Sequence, residues 1–339
     1  MYDGHAVGVV VPAYNEEGFV GPVIDTMPDF VDRVYVVDDR STDGTWQEIR
    51  DHAERANRAA TERRADATIA DGGTGSARRV VPIRHDTNRG VGGAILTGYR
   101  RAHEDGMDVV AVMAGDGQMD PDQLDRLVDP VVNGAADYAK GNRLLHPEFR
   151  DGMPRFRLFG NAVLSLLTKV ASGYWRVGDP QNGYTVVSDD ALDALDLDDL
   201  YDEYGFANEL LVRLNEHRMR VADVAVPARY GDEQSTIRYR SFVPRLSRLL
   251  LVNFCRRLGT RTTERGNRSA VVCYALGIVG VLATVLAGLG ATAGASVDAK
   301  QAGALGLSSA ASLGLAVAFD AEHNEHLVVR VLDETATDD

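Results

Sequence analysis

Residues 107–121 hold the feature that most constrains the fold, an apolar run followed by a glycine-flanked aspartate. Val109 to Met113 are apolar and mostly β-branched, which predicts a short buried strand. Asp116 and Gln118 follow this strand, and Pro121 predicts the first turn of a helix. Because open α/β sheets bind ligands beyond the carboxyl ends of their strands, Asp116 and Gln118 are candidate ligands of a substrate or a metal. The same residues also suit a strand-to-helix turn without a ligand.

The chain begins with a similar succession of apolar strand, polar loop and helix. Val7 to Val11 predict a central strand that ends at Pro12. In the loop that follows, Asn15 predicts an N-cap for the next helix, and Glu16 and Glu17 suit its positive end. A helix cap alone would explain Asn15 and one of the glutamates.

A second loop of this kind starts with two adjacent acids. Val34 to Val37 predict a strand that ends in Asp38 and Asp39. Acidic groups at such a position commonly accept hydrogen bonds from the base or ribose of a nucleotide. An N-cap at Ser41 or Thr42 would explain only the second half of this loop.

A glycine-rich helix start follows the third predicted strand. Residues 45–64 have a helical pattern, residues 65–76 predict an inserted loop, and residues 79–84 predict the strand. Glycines around Arg89 then open a helix, which predicts that a diphosphate approaches the backbone N–H groups and that Arg89 adds positive charge. No Gly-x-Gly-x-x-Gly follows the first strand and no Walker Gly-Lys-Ser/Thr occurs, which excludes the usual dinucleotide and P-loop proteins.

Three arginines in the second half of this region are candidates for binding an anion. Residues 136–140 predict a strand that leads to Arg143. Arg155 and Arg157 begin a predicted helix, at the end where the helix dipole does not favour cations. Solvated arginines would look the same in the sequence. A turn over residues 179–184, a helix over 207–218 that carries Glu209 and a final strand over 221–227 complete the region.

The composition excludes nucleic acid as a partner and favours a reducing compartment. The formal net charge is −14, which opposes binding to a phosphate backbone. Only Lys140, Lys169 and Lys300 are lysines, and an acidic, lysine-poor chain predicts a halophilic protein; an acidic protein from a GC-rich genome would look alike.

Cys255 and Cys273 do not suit a disulfide framework or a zinc site, and no secretory signal precedes the first strand, so we expect a cytoplasmic catalytic part.

The chain changes in character after residue 240 and predicts attachment to a membrane. Residues 242–258 alternate leucine and arginine, as a helix in a bilayer interface would. Residues 269–295 contain no charge and are long enough to span a bilayer, and residues 302–319 form a second, marginal span. Because arginines crowd before the first span, the positive-inside rule places both ends in the cytoplasm. Two buried helices of a soluble protein are the alternative.

Five polar motifs occur in order at residues 12–17, 37–45, 88–94, 115–121 and 141–143. This order resembles family 2 glycosyltransferases with the GT-A fold, an α/β domain with a central, mostly parallel sheet. Residues 179–184 and 229–235 resemble the dolichyl- and polyprenyl-phosphate sugar transferases among them. We therefore expect a GT-A domain over residues 1–240, a basic amphipathic interface helix over 241–268, two transmembrane helices within 269–319 and an acidic cytoplasmic tail over 320–339.

The resemblance implies a nucleotide-diphosphate-sugar donor, inversion at the anomeric carbon and a divalent metal, Mg²⁺ or Mn²⁺. The residues expected in the nucleotide-sugar pocket are Pro12, Tyr14, Glu16, Asp38, Asp39, Arg89, Gly115 and Asp116. The metal motif of the family is usually Asp-x-Asp, whereas Ala114 stands at its first position here and leaves Asp116 and Gln118 as ligands. One carboxylate can still hold such an ion together with donor phosphates and water.

The identity of the acceptor decides which other residues the reaction needs. A dolichyl or polyprenyl phosphate is largely dianionic at neutral pH, so it needs cations rather than a general base, and Arg143 with Arg155 or Arg157 would supply them. A lipid-linked glycan would react through a hydroxyl and need a base, for which the candidates are Glu209, Asp202 and Glu203. A non-catalytic nucleotide-sugar-binding protein is a third reading, motivated by Ala114. The sugar, the choice between UDP and GDP, and the oligomeric state stay open.

Overall fold

The computed structural model of the protein describes residues 1–71, 79–145, 155–203, 205–227, 239–260, 268–292 and 298–331. Its strands are β1 (Val7–Ala13), β2 (Arg33–Asp38), β3 (Val80–Arg84), β4 (Val109–Val112), β5 (Tyr138–Asn142), β6 (Thr185–Ser188), β7 (Val221–Ala225) and β8 (Val328–Val331). They form one sheet in the order β3-β2-β1-β4-β6-β5-β7-β8. Within these ranges, only β6 runs antiparallel to its neighbours, β4 and β5.

Helices cover both faces of this sheet. They are α1 (Val20–Asp25), α2 (Thr45–Asp71), α3 (Gly90–Glu104), α4 (Leu124–Val132), α5 (Arg155–Ser172), α6 (Asp189–Ala194), α7 (Phe206–Glu216), α8 (Tyr239–Thr260), α9 (Arg268–Thr292) and α10 (Ala299–Asn324). One apolar cluster joins α1, α2 and α4 to the sheet, and a second joins α3, α6 and α7 to the opposite face. Every residue of β1 is therefore buried, which explains its uninterrupted apolar run.

The polar loops meet at one edge of the sheet because of its strand directions. The parallel register pairs Ala13 with Asp38, and Val10 pairs with Val112 on the other side of β1. The carboxyl ends of β1, β2 and β4 therefore lie side by side, with β1 and β4 at the point where the strand order reverses. Because β6 runs antiparallel to β4, its first residue, Thr185, pairs with Val112 at the end of β4. The turn over residues 179–184 therefore lies at this same edge.

Several predicted elements differ in the structure. Residues 65–71, predicted as part of a loop, continue α2, since the three alanines there favour a helix; the rest of that segment, 72–76, lies outside the described residues. The strand β6 was not predicted. Residues 221–227 were predicted to form the final strand, but β8 follows them and pairs with β7, Asp223 opposite Arg330. The predicted acidic tail over 320–339 thus begins as the end of α10 and re-enters the sheet.

A third apolar cluster connects the α/β domain to the C-terminal helices. It joins Val212 on α7, Leu250 on α8, Tyr274 on α9 and Ala316 on α10. Two of the described segments, Arg268–Gly290 with 23 residues and Lys300–Leu327 with 28 residues, are long and apolar enough to cross a membrane. Only 22% and 11% of their most apolar stretches are buried within the protein, so most of this apolar surface faces outward.

The predicted interface helix, α8, does not present all its arginines to the surface. Arg257 is fully buried and forms a bidentate ion pair with Asp320 of α10. Its Nη1 and Nη2 donate to Asp320 Oδ1 and Oδ2 at 2.8 and 2.9 Å. Its remaining donors reach the carbonyl oxygens of Val170 and Ala171 at 2.9 and 2.8 Å. Arg257 thus ties α8, α5 and α10 together, a role that the leucine and arginine pattern alone does not reveal.

Candidate active site

The first two polar loops are held together by reciprocal hydrogen bonds. The backbone N–H of Asn15 donates to Ser41 Oγ at 3.0 Å, and the N–H of Thr42 donates to Asn15 Oδ1 at 2.8 Å. The N–H of Gly44 donates to Glu17 Oε2 at 2.9 Å. Asn15 has φ +57°, and its side chain does not cap α1, which begins at Val20 without a side-chain cap. The predicted N-cap role of Asn15 is therefore wrong, because its side chain bonds to the second loop.

The adjacent acids of the second loop are both buried and both have partners. Asp38 Oδ1 accepts from the N–H of Ser41 at 3.2 Å, and Oδ2 lies 2.9 Å from Nε of Arg84. Asp39 Oδ1 accepts from the backbone N–H of Arg89 at 2.7 Å and lies 2.7 Å from Nδ1 of His85. The acids therefore fasten the loops after β2 and β3 to each other.

His85 is a part of this arrangement that the sequence reasoning missed. It is buried, and its Nε2 lies 2.9 Å from Oγ1 of Thr97 on α3. A single histidine after a strand carries no motif, so only its position identified it. Around these groups, Pro12 is buried, Glu16 is half-buried, and Tyr14 is 46% exposed and able to contact a ligand.

The glycines after β3 have a different partner from the one predicted. A Cβ on Gly90 would lie 2.9 Å from the carbonyl oxygen of Asp202, and one on Gly92 would lie 2.7 Å from it. The N–H of Gly93 donates to that same oxygen at 2.9 Å. The prediction that a diphosphate approaches this backbone is therefore wrong at these glycines, because the chain at Asp202 occupies the approach. Arg89 itself is exposed.

The loop after β4 presents one carboxylate to the edge. Gly115 packs beside the end of β1, and its N–H donates to the carbonyl oxygen of Pro12 at 3.0 Å. Asp116 Oδ1 accepts from the N–H of Gln118 at 3.0 Å, across Gly117 with φ +73°. Burial raises the pKa of Asp116 above its ordinary value, and the N–H of Gln118 offsets this only in part. As predicted, Pro121 opens a helical turn, which leads into α4.

The ligand set around Asp116 fits a metal whose other ligands come from a substrate. In the part of the chain that the structure describes, no group of three or more His, Cys, Asp or Glu residues could hold a metal ion. Asp116 is half-buried, and no described cation pairs with it. A carboxylate that burial destabilises gains from a divalent cation, and phosphate oxygens and water would complete such a site.

Arg143 occupies the same edge and is paired with a buried acid. Its Nε and Nη2 donate to Asp179 Oδ2 and Oδ1 at 2.6 and 3.1 Å, and its backbone N–H donates to Oδ2 at 3.3 Å. Asp179 is 1% exposed with φ +39°, whereas the side chain of Arg143 is 23% exposed. The predicted turn over residues 179–184 is confirmed, since the N–H of Asn182 donates to the carbonyl oxygen of Asp179 at 3.0 Å. The helix α5 begins at Arg155, while the side chains of Arg155 and Arg157 lie outside the described residues.

Two fully buried charged residues lie beneath this pair, and the sequence reasoning missed their role. Lys140 Nζ donates to the carbonyl oxygen of Asn182, and burial lowers the pKa of Lys140 to about 8 although Asp179 opposes the shift. Asp223 accepts from Asn142 Nδ2 at 2.8 Å and from the N–H of Gly178 at 3.2 Å. Burial raises the pKa of Asp223 to about 6. The available signal was a charge within each of two apolar strands, β5 and β7.

Glu209, the candidate base for a hydroxyl acceptor, is buried and engaged. Its Oε2 accepts from the N–H of Tyr201 at 2.8 Å. Its Oε1 lies 3.5 Å from both Arg213 Nε and Arg256 Nη1. This carboxylate therefore holds the chain near residue 201, whereas Asp202 and Glu203, the other candidates, are exposed. Residues 229–235 lie outside the described part of the chain.

The sheet order and the polar loops at the β1–β4 switch point define an α/β domain of the GT-A type. The chain belongs to glycosyl transferase family 2, whose family model matches residues 8–196, and it is therefore a glycosyltransferase.

The chain is also similar to three individual proteins. It is 28% identical to a UDP-N-acetylglucosamine–dolichyl-phosphate N-acetylglucosaminyltransferase of Methanococcus voltae over 225 residues, 66% of this chain and 86% of that protein. It is 29% identical to an undecaprenyl-phosphate mannosyltransferase of Micrococcus luteus over 64% of this chain and 81% of that one. Glucosyl-3-phosphoglycerate synthase from Mycobacterium tuberculosis, solved with Mg²⁺ and UDP, shares the fold with a TM-score of 0.50 and 21% identity over 75% of this chain and 79% of that one.

Proposed function

We propose that this glycosyltransferase moves a sugar from a UDP- or GDP-linked donor to dolichyl or polyprenyl phosphate at a membrane, with inversion at the anomeric carbon. The observation that carries the proposal is the position of Arg143, a partly exposed guanidinium at the same sheet edge as Asp116. Two relatives named for dolichyl- and undecaprenyl-phosphate acceptors support this choice. The product would serve protein N-glycosylation or surface glycan assembly.

The donor is proposed to bind across the ends of β1, β2 and β4. Pro12, Tyr14, Glu16 and Asp39 would line the nucleoside side. Asp38 beside them is fully buried and would act by keeping the second loop in place. Gly115 would allow close approach of the donor, and the exposed Arg89 would add charge beside it. Selectivity between UDP and GDP, and between sugars, would depend on a few hydrogen bonds in this pocket.

The leaving diphosphate requires positive charge near Asp116. Asp116 and Gln118 would hold Mg²⁺ or Mn²⁺, which would neutralise the charge that develops on the leaving oxygen. The carboxylate of Asp116 is half-buried, so it would hold the metal ion where water screens the attraction between the ion and the diphosphate less than in bulk solvent. Asp116 would therefore act through electrostatics and would not exchange a proton in the reaction.

The acceptor phosphate requires cations and orientation. Its second pKa near 6 leaves it largely dianionic at neutral pH, so its oxygen attacks without a general base. Arg143 would bind and orient this oxygen, with Arg155 or Arg157 as further contacts. The engaged, buried state of Glu209 opposes a hydroxyl acceptor, because its carboxylate already bonds to Tyr201 and lies close to two arginines.

The lipid acceptor implies a membrane, and the helical hairpin of α9 and α10 is proposed to span it. Most of the apolar surface of both helices faces outward, which suits contact with lipid. The exposed Arg245 and Arg248 on α8 would face anionic headgroups, and the positive-inside rule would place the GT-A domain in the cytoplasm.

The test is a product analysis with the full-length protein in membranes. The protein is incubated with a panel of labelled UDP- and GDP-sugars and with either polyprenyl phosphate or a lipid-linked sugar. We expect one donor to yield a glycosyl phospholipid in a metal-dependent reaction, and the Asp116→Asn protein to yield none. Transfer to the lipid-linked sugar alone would overturn the acceptor assignment, and failure of every donor would overturn the enzyme assignment.

A further inference from the structure

We propose that Asp223 and Lys140 are positioning residues, which hold the Arg143–Asp179 pair in place from the interior of the sheet. The inference rests on the proposed function in one respect, the assignment of Arg143 to the acceptor phosphate. Neither residue reaches solvent, since both are 0% exposed. They would therefore act on the reaction only through the groups that they contact.

Asp223 bonds to the chain neighbours of both members of the pair. Its Oδ2 accepts from Asn142, which precedes Arg143, and its Oδ1 accepts from the N–H of Gly178, which precedes Asp179. Asn142 in turn accepts from the N–H of Leu144 at 2.9 Å, so Arg143 lies between two restrained residues. One carboxylate on β7 thus sets the distance between the backbone segments that carry the guanidinium and its acid.

Lys140 holds the other end of the turn that carries Asp179. Its Nζ donates to the carbonyl oxygen of Asn182, whose own N–H donates to the carbonyl oxygen of Asp179 at 3.0 Å. Lys140 belongs to β5, two residues before Asn142. The turn over residues 179–182 is therefore restrained at its start through Asp223 and at its end through Lys140.

The electrostatic cost of this arrangement favours a positional role. Burying a charge is unfavourable, and apolar residues of similar volume often give equal or greater stability, so stability alone does not explain a lysine and an aspartate at 0% exposure. The charges acting on Lys140 are Asp179, Arg143 and Asp223, while Lys169 of α5 and Arg330 of β8 also act close to Asp223. Because the cluster contains both positive and negative groups, it suits holding the Arg143–Asp179 pair in place rather than binding an anion.

The first experiment replaces Asp223 with asparagine in the full-length protein. The amide has one acceptor atom instead of two, so one of the two bonds that Asp223 accepts is lost. We expect the KM for polyprenyl phosphate to rise about tenfold, the lower end of the loss known for outer-shell partners of metal ligands, while the donor Kd stays unchanged. Lys140→Met is expected to act in the same direction. If either variant does not fold, Asn142→Ser, which removes the link to Asp223, takes its place.

Asp137→Asn is the matched control. Asp137 accepts from the N–H of Arg220 at 2.6 Å, just before β5 and β7 begin, at the edge opposite to Arg143. We expect this variant to lose stability without a change in the acceptor KM. If Asp223→Asn likewise lowers only the Tm and the active fraction, the support is merely structural and the inference is overturned.

A double-mutant cycle separates this inference from the proposed function. If Asp223 acts through Arg143, the effect of Asp223→Asn on the acceptor KM disappears in an Arg143→Ala background. Additive effects on KM would overturn the positioning role while leaving the acceptor assignment intact. An unchanged acceptor KM in Arg143→Ala alone would instead overturn the assignment of Arg143 in the proposed function.

Discussion

At the scale of single residues, the donor half of the site depends on the charge of Asp116. Ala114 stands where a second carboxylate would strengthen the metal site, so the first position of this motif supplies no charge to share the task with Asp116. We expect Asp116→Asn to lower turnover at least about 100-fold, because a neutral amide stabilises a hard cation and its diphosphate poorly. The measurements are turnover over a range of Mg²⁺ and Mn²⁺ concentrations, and circular dichroism to check the fold.

Ala114→Asp is the companion variant. A second carboxylate at this position should preserve or strengthen metal binding if the loop is arranged as proposed. A substantial loss of metal affinity in Ala114→Asp, or normal metal-dependent turnover in Asp116→Asn, would remove this loop from the mechanism.

Arg143 and Glu209 distinguish the two transferase reactions. We expect Arg143→Ala to raise the KM for polyprenyl phosphate about 10- to 100-fold and to lower kcat, since a hydrogen bond to a charged group contributes about 1.5–3 kcal/mol. Arg143→Lys should recover only part of the loss, because an ammonium cannot make the two-bonded contact with Asp179. Steady-state kinetics with both substrates give these values.

Glu209→Gln is compared under the same conditions. With a phosphate acceptor it should retain most of its activity and lose stability, because its carboxylate holds the N–H of Tyr201. A nearly inactive Glu209→Gln beside a fully active Arg143→Ala would favour a hydroxyl acceptor and contradict our proposal.

Lys140 predicts a pH-dependent stability with a definite sign. Its pKa falls from 10.5 in the unfolded chain to about 8 in the folded protein, because burial disfavours the charged form. Between these values the unfolded chain binds one proton more, so the free energy of unfolding should rise with pH by about 1.4 kcal/mol per unit and decline as pH falls through the folded pKa. Urea unfolding of the wild type and of Lys140→Met between about pH 8 and about pH 10 tests this. Equal slopes for the two proteins would contradict it.

At the scale of elements, the Arg257–Asp320 pair joins α10 to the α/β domain. Both residues are 0% exposed, and Asp320 also accepts from Trp175 Nε1 at 3.0 Å and from Asn324 Nδ2 at 3.0 Å. Beyond it, β8 pairs with β7. The hairpin therefore leaves the domain through α8 and returns to its sheet, which makes it a part of the fold rather than a separate anchor.

Breaking this pair on one side should destabilise the protein strongly. We expect Asp320→Ala to cost about 3–5 kcal/mol, because it leaves the guanidinium of Arg257 buried and uncompensated. The double variant Arg257→Met with Asp320→Leu should recover much of the loss, since it removes both charges. Thermal unfolding in one detergent, followed by near-UV circular dichroism, compares the two. A single variant as stable as the wild type would mean that the pair does not join these elements.

At the scale of the whole molecule, the net charge of −14 with only three lysines predicts a halophilic protein. At low ionic strength the excess negative charge repels itself over distances of about 10 Å or more, whereas molar salt reduces this to about 3 Å. We therefore expect the free energy of unfolding to increase from low salt to molar KCl. Chemical unfolding at each KCl concentration measures it, with sucrose at equal osmolality as the control. A protein that is equally stable at low ionic strength would refute the prediction.

The order of motifs and the fold class followed from the sequence alone. Apolar runs such as Val7 to Val11 and Val109 to Met113 carry a local period, and local periods need no knowledge of distant partners. Because parallel strands end at a common edge, the position of Asp38 and Asp116 at one edge followed from the strands that precede them. The two apolar helices were evident for the same reason, since length and composition are local properties.

Only the tertiary structure decided which polar groups have which partners. Arg143 meets Asp179 across 36 residues, Asn142 meets Asp223 across 81, and Arg257 meets Asp320 across 63. The chain at Asp202 covers the glycines after β3, and β8 joins β7 after the entire hairpin. A charge in an apolar strand carries no mark of its distant partner. Its pairing is set by sheet order and helix packing, which depend on the free energy of the whole core rather than on any local pattern.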